Sequence, residues 1–81
     1  MTRLDTLTEG ARCRLVEIGG ERSFRRRLME LGLLPGAFLR VVRRVRVGGL
    51  LELEVRGSRV TVRCSEASQL LVVPAAAAGA E

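Results

Sequence analysis

The stretch "LRVVRRVRVGGLLELEVRGSRVTVRC", residues 39–64, decides the fold because apolar and polar residues alternate along three successive segments of it. In residues 39–47 the odd positions are apolar except for Arg43, in 51–55 they are apolar again, and in 60–64 the even positions are apolar. Alternation with period two is typical of strands that have one face on a core and the other in water. The stretch therefore predicts three consecutive antiparallel strands.

The second turn of this stretch can be tested for register. A two-residue turn at Gly57-Ser58 pairs Val55 with Val60 and Leu53 with Val62, which places every apolar residue on one face. The first turn needs a longer loop, because a two-residue Gly48-Gly49 loop would mix the faces. A three-residue loop at 48–50 restores the match and predicts these further pairs: Val47 with Leu51, Val45 with Leu53, Arg46 with Glu52, Arg44 with Glu54, and Glu52 with Arg63.

The segment before these strands changes its period. Phe24, Leu28 and Leu31 recur at i, i+4 and i+7, so we expect a helix that begins at Ser23 and has these three residues on its inner face. Gly32 is suited to cap its C-terminus. Arg25, Arg26 and Glu30 are then expected to point away from the core.

Strand composition on both sides of this helix completes a single domain. Residues 11–18 read as a strand that ends at two glycines, Ser65 is placed to cap a short helical turn through Ser68, and 69–73 read as the last strand. The prediction is a mainly β fold with one inserted helix, a small antiparallel barrel of about five strands covering residues 1–73. The alanine-rich residues 74–81, "PAAAAGAE", are predicted to be a flexible tail.

Composition excludes most enzyme classes. The 81 residues contain no histidine, lysine, tyrosine or tryptophan, so no general base with a partnered nucleophile can be assembled, and we predict no catalytic residue. No apolar run approaches the roughly 20 residues that cross a bilayer, and the N-terminus lacks the apolar stretch of a signal peptide. A cytoplasmic location is therefore expected.

The two cysteines, Cys13 and Cys64, lie far apart and have no histidine to complete a zinc site. We expect both to be small buried apolar residues in a reducing compartment, with a disulfide or a shared metal as the alternatives. No cofactor and no set of metal ligands is predicted.

The charge balance favours an acidic partner, with a mere bias of the sequence toward arginine as the alternative. The formal net charge is +5, and all 14 basic residues are arginine. Nucleic acid is an open alternative, but the only aromatic residues for stacking on bases are Phe24 and Phe38, and the arginine-rich helix has no Asn or Gln to read base edges. No nucleic acid is therefore expected as the partner.

The segment "LGLLPG", residues 31–36, follows the helix and is suited to a tight turn at Pro35-Gly36. Adjacent side chains before a proline point in opposite directions in extended conformation, so one of Leu33 and Leu34 is expected to be buried and the other exposed. Two interpretations remain open: a purely structural elbow, or an exposed leucine that serves as a docking contact beside the arginines.

Three segments carry a resemblance to a known family: "LDTLTEGARCRLVEI", "RRRLMELGLLPGAFLRVV" and "ELEVRGSRVTVRCSEASQLLV". Together, over about residues 4–73, they resemble the FeoA family of ferrous-iron transport proteins, small cytosolic domains with an SH3-like barrel. The most specific element is "RRLMELGLLPG", residues 26–36, supported by Arg63 and Ala67. The chain departs from the family at "RVGGLLE", residues 46–52, where a Gly-Asp-Pro type of loop is usual.

The resemblance implies a non-enzymatic accessory protein that contacts the cytoplasmic part of the membrane ferrous-iron transporter FeoB, and that is at most peripheral to the membrane itself. The same barrel is similar to the C-terminal domain of iron-dependent repressors, so a regulatory or metal-sensing module is the alternative. The hypothesis is docking through the helix and the elbow, with the following contact residues: Arg22, Arg25, Arg26, Leu33 and Leu34.

Overall fold

The computed structural model describes residues 1–75. Six strands, two α-helices and one 3-10 turn succeed each other along this part of the chain. In order they are β1 (Thr2–Arg3), the 3-10 turn (Leu4–Thr6), β2 (Arg12–Ile18), α1 (Arg22–Glu30), β3 (Phe38–Val45), β4 (Leu50–Val55), β5 (Ser58–Arg63), α2 (Cys64–Ala67) and β6 (Leu70–Pro74).

All six strands form one antiparallel sheet in the order β1-β6-β2-β3-β4-β5. Apolar residues from β2 to β6, together with Leu4, Leu28 and Leu33, belong to a single buried cluster, so the sheet curves around one core. The mainly β prediction is confirmed, with six strands instead of five. The additional strand is β1, whose Thr2 lies opposite Val72 of β6.

The turn between β4 and β5 lies one residue earlier than predicted. Arg56 and Gly57 both have positive φ, +53° and +80°, as a two-residue type I′ turn requires, and Val55 lies opposite Ser58. Leu53 consequently pairs with Val60 instead of Val62. The predicted register was wrong by two residues, but a shift of two leaves each side chain on its predicted face.

The register between β3 and β4 was also predicted incorrectly, because β3 contains a bulge. Val41 lies opposite Leu53 and Arg43 opposite Glu52, so Val42 is the extra residue between them. The bulge reverses the alternation, which explains why Arg43 breaks the apolar pattern. Val45 pairs with Leu50 and not with Leu53, and Val47 lies beyond the strand, 88% exposed.

The bulge also changes the charge pairs on the outer face of the sheet. The predicted pairs Arg46 with Glu52, Arg44 with Glu54 and Glu52 with Arg63 are not formed; other arginines take the two carboxylates. The observed ion pairs on this face are Arg40 with Glu54 at 2.8 Å, Arg43 with Glu52 at 3.4 Å and Arg59 with Glu52 at 3.0 Å.

Arg44 has a different function from the predicted one. Its Nη2 donates hydrogen bonds to the carbonyl oxygens of Asp5 and Leu7, at 2.8 and 2.6 Å, and its backbone N–H donates to Glu9 Oε2 at 2.8 Å. Leu4, in the same N-terminal segment, is fully buried. Arg44 therefore holds the N-terminal segment against β3.

The end of the fold differs from the prediction in two details. The residue that precedes α2 is Arg63, whose backbone N–H donates to Glu66 Oε1 at 2.9 Å, so Ser65 is not the cap. Pro74 is the last residue of β6, and the Ala75 N–H donates to the Arg12 carbonyl at 3.0 Å. The remainder of the predicted tail, residues 76–81, lies outside the described residues.

Candidate docking surface

Helix α1 has a narrow buried face. Leu28 is 1% exposed and Phe24 is partly buried against the core, as predicted from their spacing. Leu31 is 47% exposed, so its predicted place on the inner face was wrong. The helix ends at Glu30, and Leu31 lies at the C-cap, where the chain leaves the helical path.

The end of the helix is a Schellman motif centred on Gly32. The N–H of Gly32 donates to the Met29 carbonyl and the N–H of Leu33 to the Leu28 carbonyl, both at 3.0 Å, while Gly32 has a φ of +99°. These are the two hydrogen bonds of that motif, and a buried contact between the residues corresponding to Leu33 and Leu28 commonly accompanies them. The predicted cap at Gly32 is confirmed.

The elbow that follows is a type II turn. The Ala37 N–H donates to the Leu34 carbonyl at 2.9 Å, and Gly36, at the third position of the turn, has a φ of +95°. Pro35 occupies the second position, where its fixed φ fits this turn. The predicted turn at Pro35-Gly36 is therefore present.

The two leucines before this turn are separated as expected. Leu33 is fully buried in the core, whereas Leu34 is 36% exposed. Leu33 therefore has no exposed side chain to offer a partner, and its place among the predicted contact residues needs correction: its role is to anchor the elbow. Leu34 is the leucine that reaches the surface.

The arginines of α1 divide into two groups. Arg27 forms an ion pair with Glu66 of α2, and its guanidinium lies 5.8 Å from the centre of the Phe24 ring. Arg22, Arg25 and Arg26 are exposed and have no ion pair within residues 1–75. Of the four arginines in α1, these three are the ones that the sequence proposed as contacts.

Arg22, Arg25 and Arg26 border one shallow hollow with Met29 and Glu30. Met29 is 39% exposed, and Leu31 and Leu34 expose further apolar surface at the adjoining helix end and elbow. The arginines and the apolar residues of this region are together called the docking surface, which leaves out Glu30: Arg22, Arg25, Arg26, Met29, Leu31 and Leu34. Sequence reasoning missed Met29 and Leu31; the i, i+3 and i, i+4 spacing of Met29 from Arg26 and Arg25 was the available signal.

The docking surface combines cationic and apolar groups without a reactive centre. Arginine guanidiniums present several donors to carboxylates in a fixed plane, and the exposed methionine and leucines offer apolar contact area. Such a surface is suited to a protein partner with both acidic and apolar residues. Within residues 1–75, no helix has the length and apolar character that crossing a bilayer requires.

The cysteines lie apart from this surface and are both free. Cys13 is fully buried, as expected, and burial raises its pKa to about 11. Cys64 is only half-buried, at the first position of α2. In the described part of the chain, no three side chains of the histidine, cysteine or carboxylate type come together as metal ligands.

Comparison with known proteins finds a matching protein family and similar solved structures. Residues 2–74 match the family model of the FeoA domain. The solution structure of the FeoA protein from Chlorobium tepidum is 36% identical, with a TM-score of 0.86 over 93% of this chain and 71% of that one. The crystal structure of an iron uptake regulatory protein (FeoA) is 26% identical, with a TM-score of 0.82 over 91% of this chain and 96% of that one.

A manganese-dependent transcriptional repressor shares the fold at 20% identity. Its TM-score is 0.85 over 90% of this chain, which spans 36% of the repressor. No curated protein matches the chain. The repressor likeness confirms the SH3-like architecture predicted for the chain.

Proposed function

Because the chain belongs to the FeoA family, we propose that it is a non-enzymatic, cytosolic accessory protein of bacterial ferrous iron uptake. The family match covers residues 2–74, which is nearly all of the chain, so the proposal concerns the whole domain. The absence of histidine, lysine and tyrosine from the sequence agrees with an accessory role, since the usual general bases are missing.

The proposed partner is the cytoplasmic part of a FeoB-type ferrous-iron transporter, bound through the docking surface. The observation that carries this proposal is that Arg22, Arg25 and Arg26 border one hollow on α1 and none of them has a carboxylate ion-pair partner within residues 1–75. An acidic partner supplies the missing carboxylates. Leu34, exposed at the elbow that follows the helix, adds an apolar contact.

The metal-sensing alternative is less favoured by the geometry. A cysteine ligand binds a metal as its thiolate, and burial raises the pKa of Cys13 to about 11, which disfavours the thiolate at neutral pH. Cys64 and surface carboxylates are the other candidate ligands, but within residues 1–75 no three cysteine or carboxylate side chains come together. Anaerobic calorimetry with Fe(II) distinguishes the two functions. An accessory protein that acts by docking gives no heat of Fe(II) binding, whereas a metal-sensing module gives a saturable one.

The nucleic-acid alternative is also weakened at this helix. Phe24 is partly buried and covered by the Arg27 guanidinium, so it offers no free ring for stacking on a base. A titration with duplex DNA at low salt tests this alternative, because phosphate binding is strongest there. Affinity for the duplex that exceeds affinity for the transporter domain would favour a nucleic-acid function.

A pull-down with the cytoplasmic domain of the transporter tests the docking proposal. The variant Arg25→Glu/Arg26→Glu reverses two charges on the docking surface and is expected to abolish capture at physiological salt. Its matched control is Arg14→Glu/Arg46→Glu, which makes the same charge change at two exposed arginines outside the docking surface. Equal loss of capture in both variants would show a net-charge effect and contradict the proposal.

A further inference from the structure

A second hollow, of about 210 Å³, lies on the surface where β2, β3 and the β4–β5 turn meet. Cys13 and Ala75 belong to its lining, and the charged and aromatic residues there are Arg12, Phe38, Arg40, Glu54 and Arg56. None of these residues belongs to the docking surface. Three separate features of the hollow reduce the stability of the folded chain, and a bound ligand would account for each of them.

The first feature is an exposed aromatic ring. Phe38 is 61% exposed, although the chain has only two aromatic residues and the other is partly buried against the core. A phenylalanine on the outer face of a sheet is a large apolar surface left in water. At the edge of a hollow, it provides a flat platform for an apolar or aromatic group.

The second feature is a pair of like charges. Arg12 of β2 lies directly opposite Arg40 of β3, and such pairs destabilise a sheet. Glu54 neutralises only Arg40, whose Nε and Nη2 both donate to the same oxygen, Oε1, at 3.0 and 2.8 Å. Arg12 has no ion pair within residues 1–75, so the hollow retains an uncompensated positive charge.

The third feature is backbone strain at Arg56, in the β4–β5 turn that lines the hollow. Arg56, with a φ of +53°, is the one non-glycine residue with positive φ in the described range 1–75. Its place in a type I′ turn before Gly57 favours asparagine, aspartate or glycine on conformational grounds. Strained residues cluster at binding sites, and this one brings a guanidinium to the hollow that contains Phe38 and Arg12.

We propose that this hollow binds a short acidic peptide segment of a partner protein, with an aromatic or apolar side chain on Phe38 and adjacent carboxylates on Arg12 and Arg56. Guanidiniums bind carboxylates through paired hydrogen bonds, which suits a hollow lined by Arg12, Arg56 and an aromatic ring. The compact size of the hollow, about 210 Å³, disfavours a polyphosphate strand. This site goes beyond the proposed function, because it uses a surface other than the docking surface.

Fluorescence of the peptide Asp-Asp-Trp-Asp-Asp tests this site directly, because the chain contains no tryptophan or tyrosine and contributes no background. Titration of the wild-type chain is expected to give a saturable change in the tryptophan signal. The peptide Lys-Lys-Trp-Lys-Lys is expected to give none. A signal that is equal for both peptides, or absent for both, would overturn the proposal.

The decisive variant is Arg56→Asn, which creates the Asn-Gly sequence preferred in a type I′ turn. We expect it to raise the thermal midpoint of unfolding and to weaken peptide binding about tenfold, the effect of losing one charge-assisted hydrogen bond. Phe38→Ala is expected to weaken binding as well. The matched control Arg46→Asn removes the same charge from an exposed loop residue outside the hollow and is expected to bind as wild type.

Three results would contradict the proposal. One is equal binding by Arg56→Asn and the wild type, and another is equal weakening in Arg56→Asn and Arg46→Asn. The third is tighter binding of a dodecathymidylate strand than of the acidic peptide, which would assign the hollow to nucleic acid. The variant Arg25→Glu/Arg26→Glu is expected to retain peptide binding, so failure of the docking proposal and failure of this one are distinguishable.

Discussion

The Leu33 amide donates a hydrogen bond to the Leu28 carbonyl at 3.0 Å, and this contact determines which of two consecutive leucines faces the core. Leu28 and Leu33 are both buried, so the end of the helix is closed by a backbone bond and an apolar contact together. Leu34, one residue further, is directed to the surface. The exposed part of the docking surface therefore depends on how the helix ends.

Gly32→Ala is expected to destabilise the chain by about 1–2 kcal/mol, because the Cβ of alanine is strained in the left-handed conformation that Gly32 adopts. A Cβ at this position would meet only Val55 Cγ1 at 3.9 Å, an ordinary contact, so the cost is conformational. Chemical denaturation measures it. Gly32→Asn is the control and is expected to lose less, since asparagine tolerates this conformation; equal losses would contradict the explanation.

Arg44→Ala is expected to loosen the N-terminal segment. The substitution removes the donor of two hydrogen bonds to the Asp5 and Leu7 carbonyls, at a cost of about 1–3 kcal/mol. Amide hydrogen exchange is expected to rise first in residues 2–7. Arg46→Ala, at an exposed neighbour of the same charge, serves as control; a similar increase there would show that Arg44 has no special role.

Glu66 is expected to make stability depend on acid pH. The Arg63 backbone N–H and the Arg27 guanidinium lower its pKa in the folded state, so its contribution is complete above its ordinary pKa and is lost as the pH falls through the lowered value. The contribution is about 0.5 kcal/mol, because the ion pair is solvent-exposed. The difference in thermal midpoint between wild type and Glu66→Gln is expected to shrink on acidification; a constant difference would contradict this assignment.

Cys13 is expected to resist modification in the folded chain. Burial raises its pKa from 9.0 to about 11, so both access and thiolate formation are disfavoured. Because the folded-state pKa is the higher one, the associated stability is complete below pH 9.0 and decreases as the pH rises toward about 11. Iodoacetamide labelling is expected to modify half-buried Cys64 first and Cys13 only on unfolding; simultaneous labelling would be inconsistent with this structure.

The faces of the strands were predictable from the sequence except beyond the bulge in β3, where Arg44 and Val45 exchange their predicted faces, and the exact registers were not predictable. Period-two alternation assigns Leu51, Leu53 and Val60 to the core, and they are buried. The bulge at Val42 and the positive φ of Arg56 depend on local backbone geometry that alternation does not encode. Both shifted the pairing.

The docking surface was predictable only in part for the same reason. If the helical spacing continued through Leu31, this residue would lie on the inner face. The helix instead ends at Glu30 in the Schellman motif, and Leu31 is exposed. The choice between Leu33 and Leu34 also depends on that motif. The free arginines Arg22, Arg25 and Arg26 were recognisable because they lie on the outer helical face.

The dissociation constant for the cytoplasmic domain of a FeoB-type transporter, measured by calorimetry, tests the central claim most directly. We expect Leu34→Ser to weaken binding about tenfold, since it removes a contact of one buried aliphatic side chain. Its matched control is Val47→Ser, at a residue that is 88% exposed and lies outside the docking surface. We expect Leu34→Ser and Arg25→Glu/Arg26→Glu to bind more weakly and Val47→Ser to bind as the wild type does. Wild-type affinity in both Leu34→Ser and Arg25→Glu/Arg26→Glu would contradict the claim.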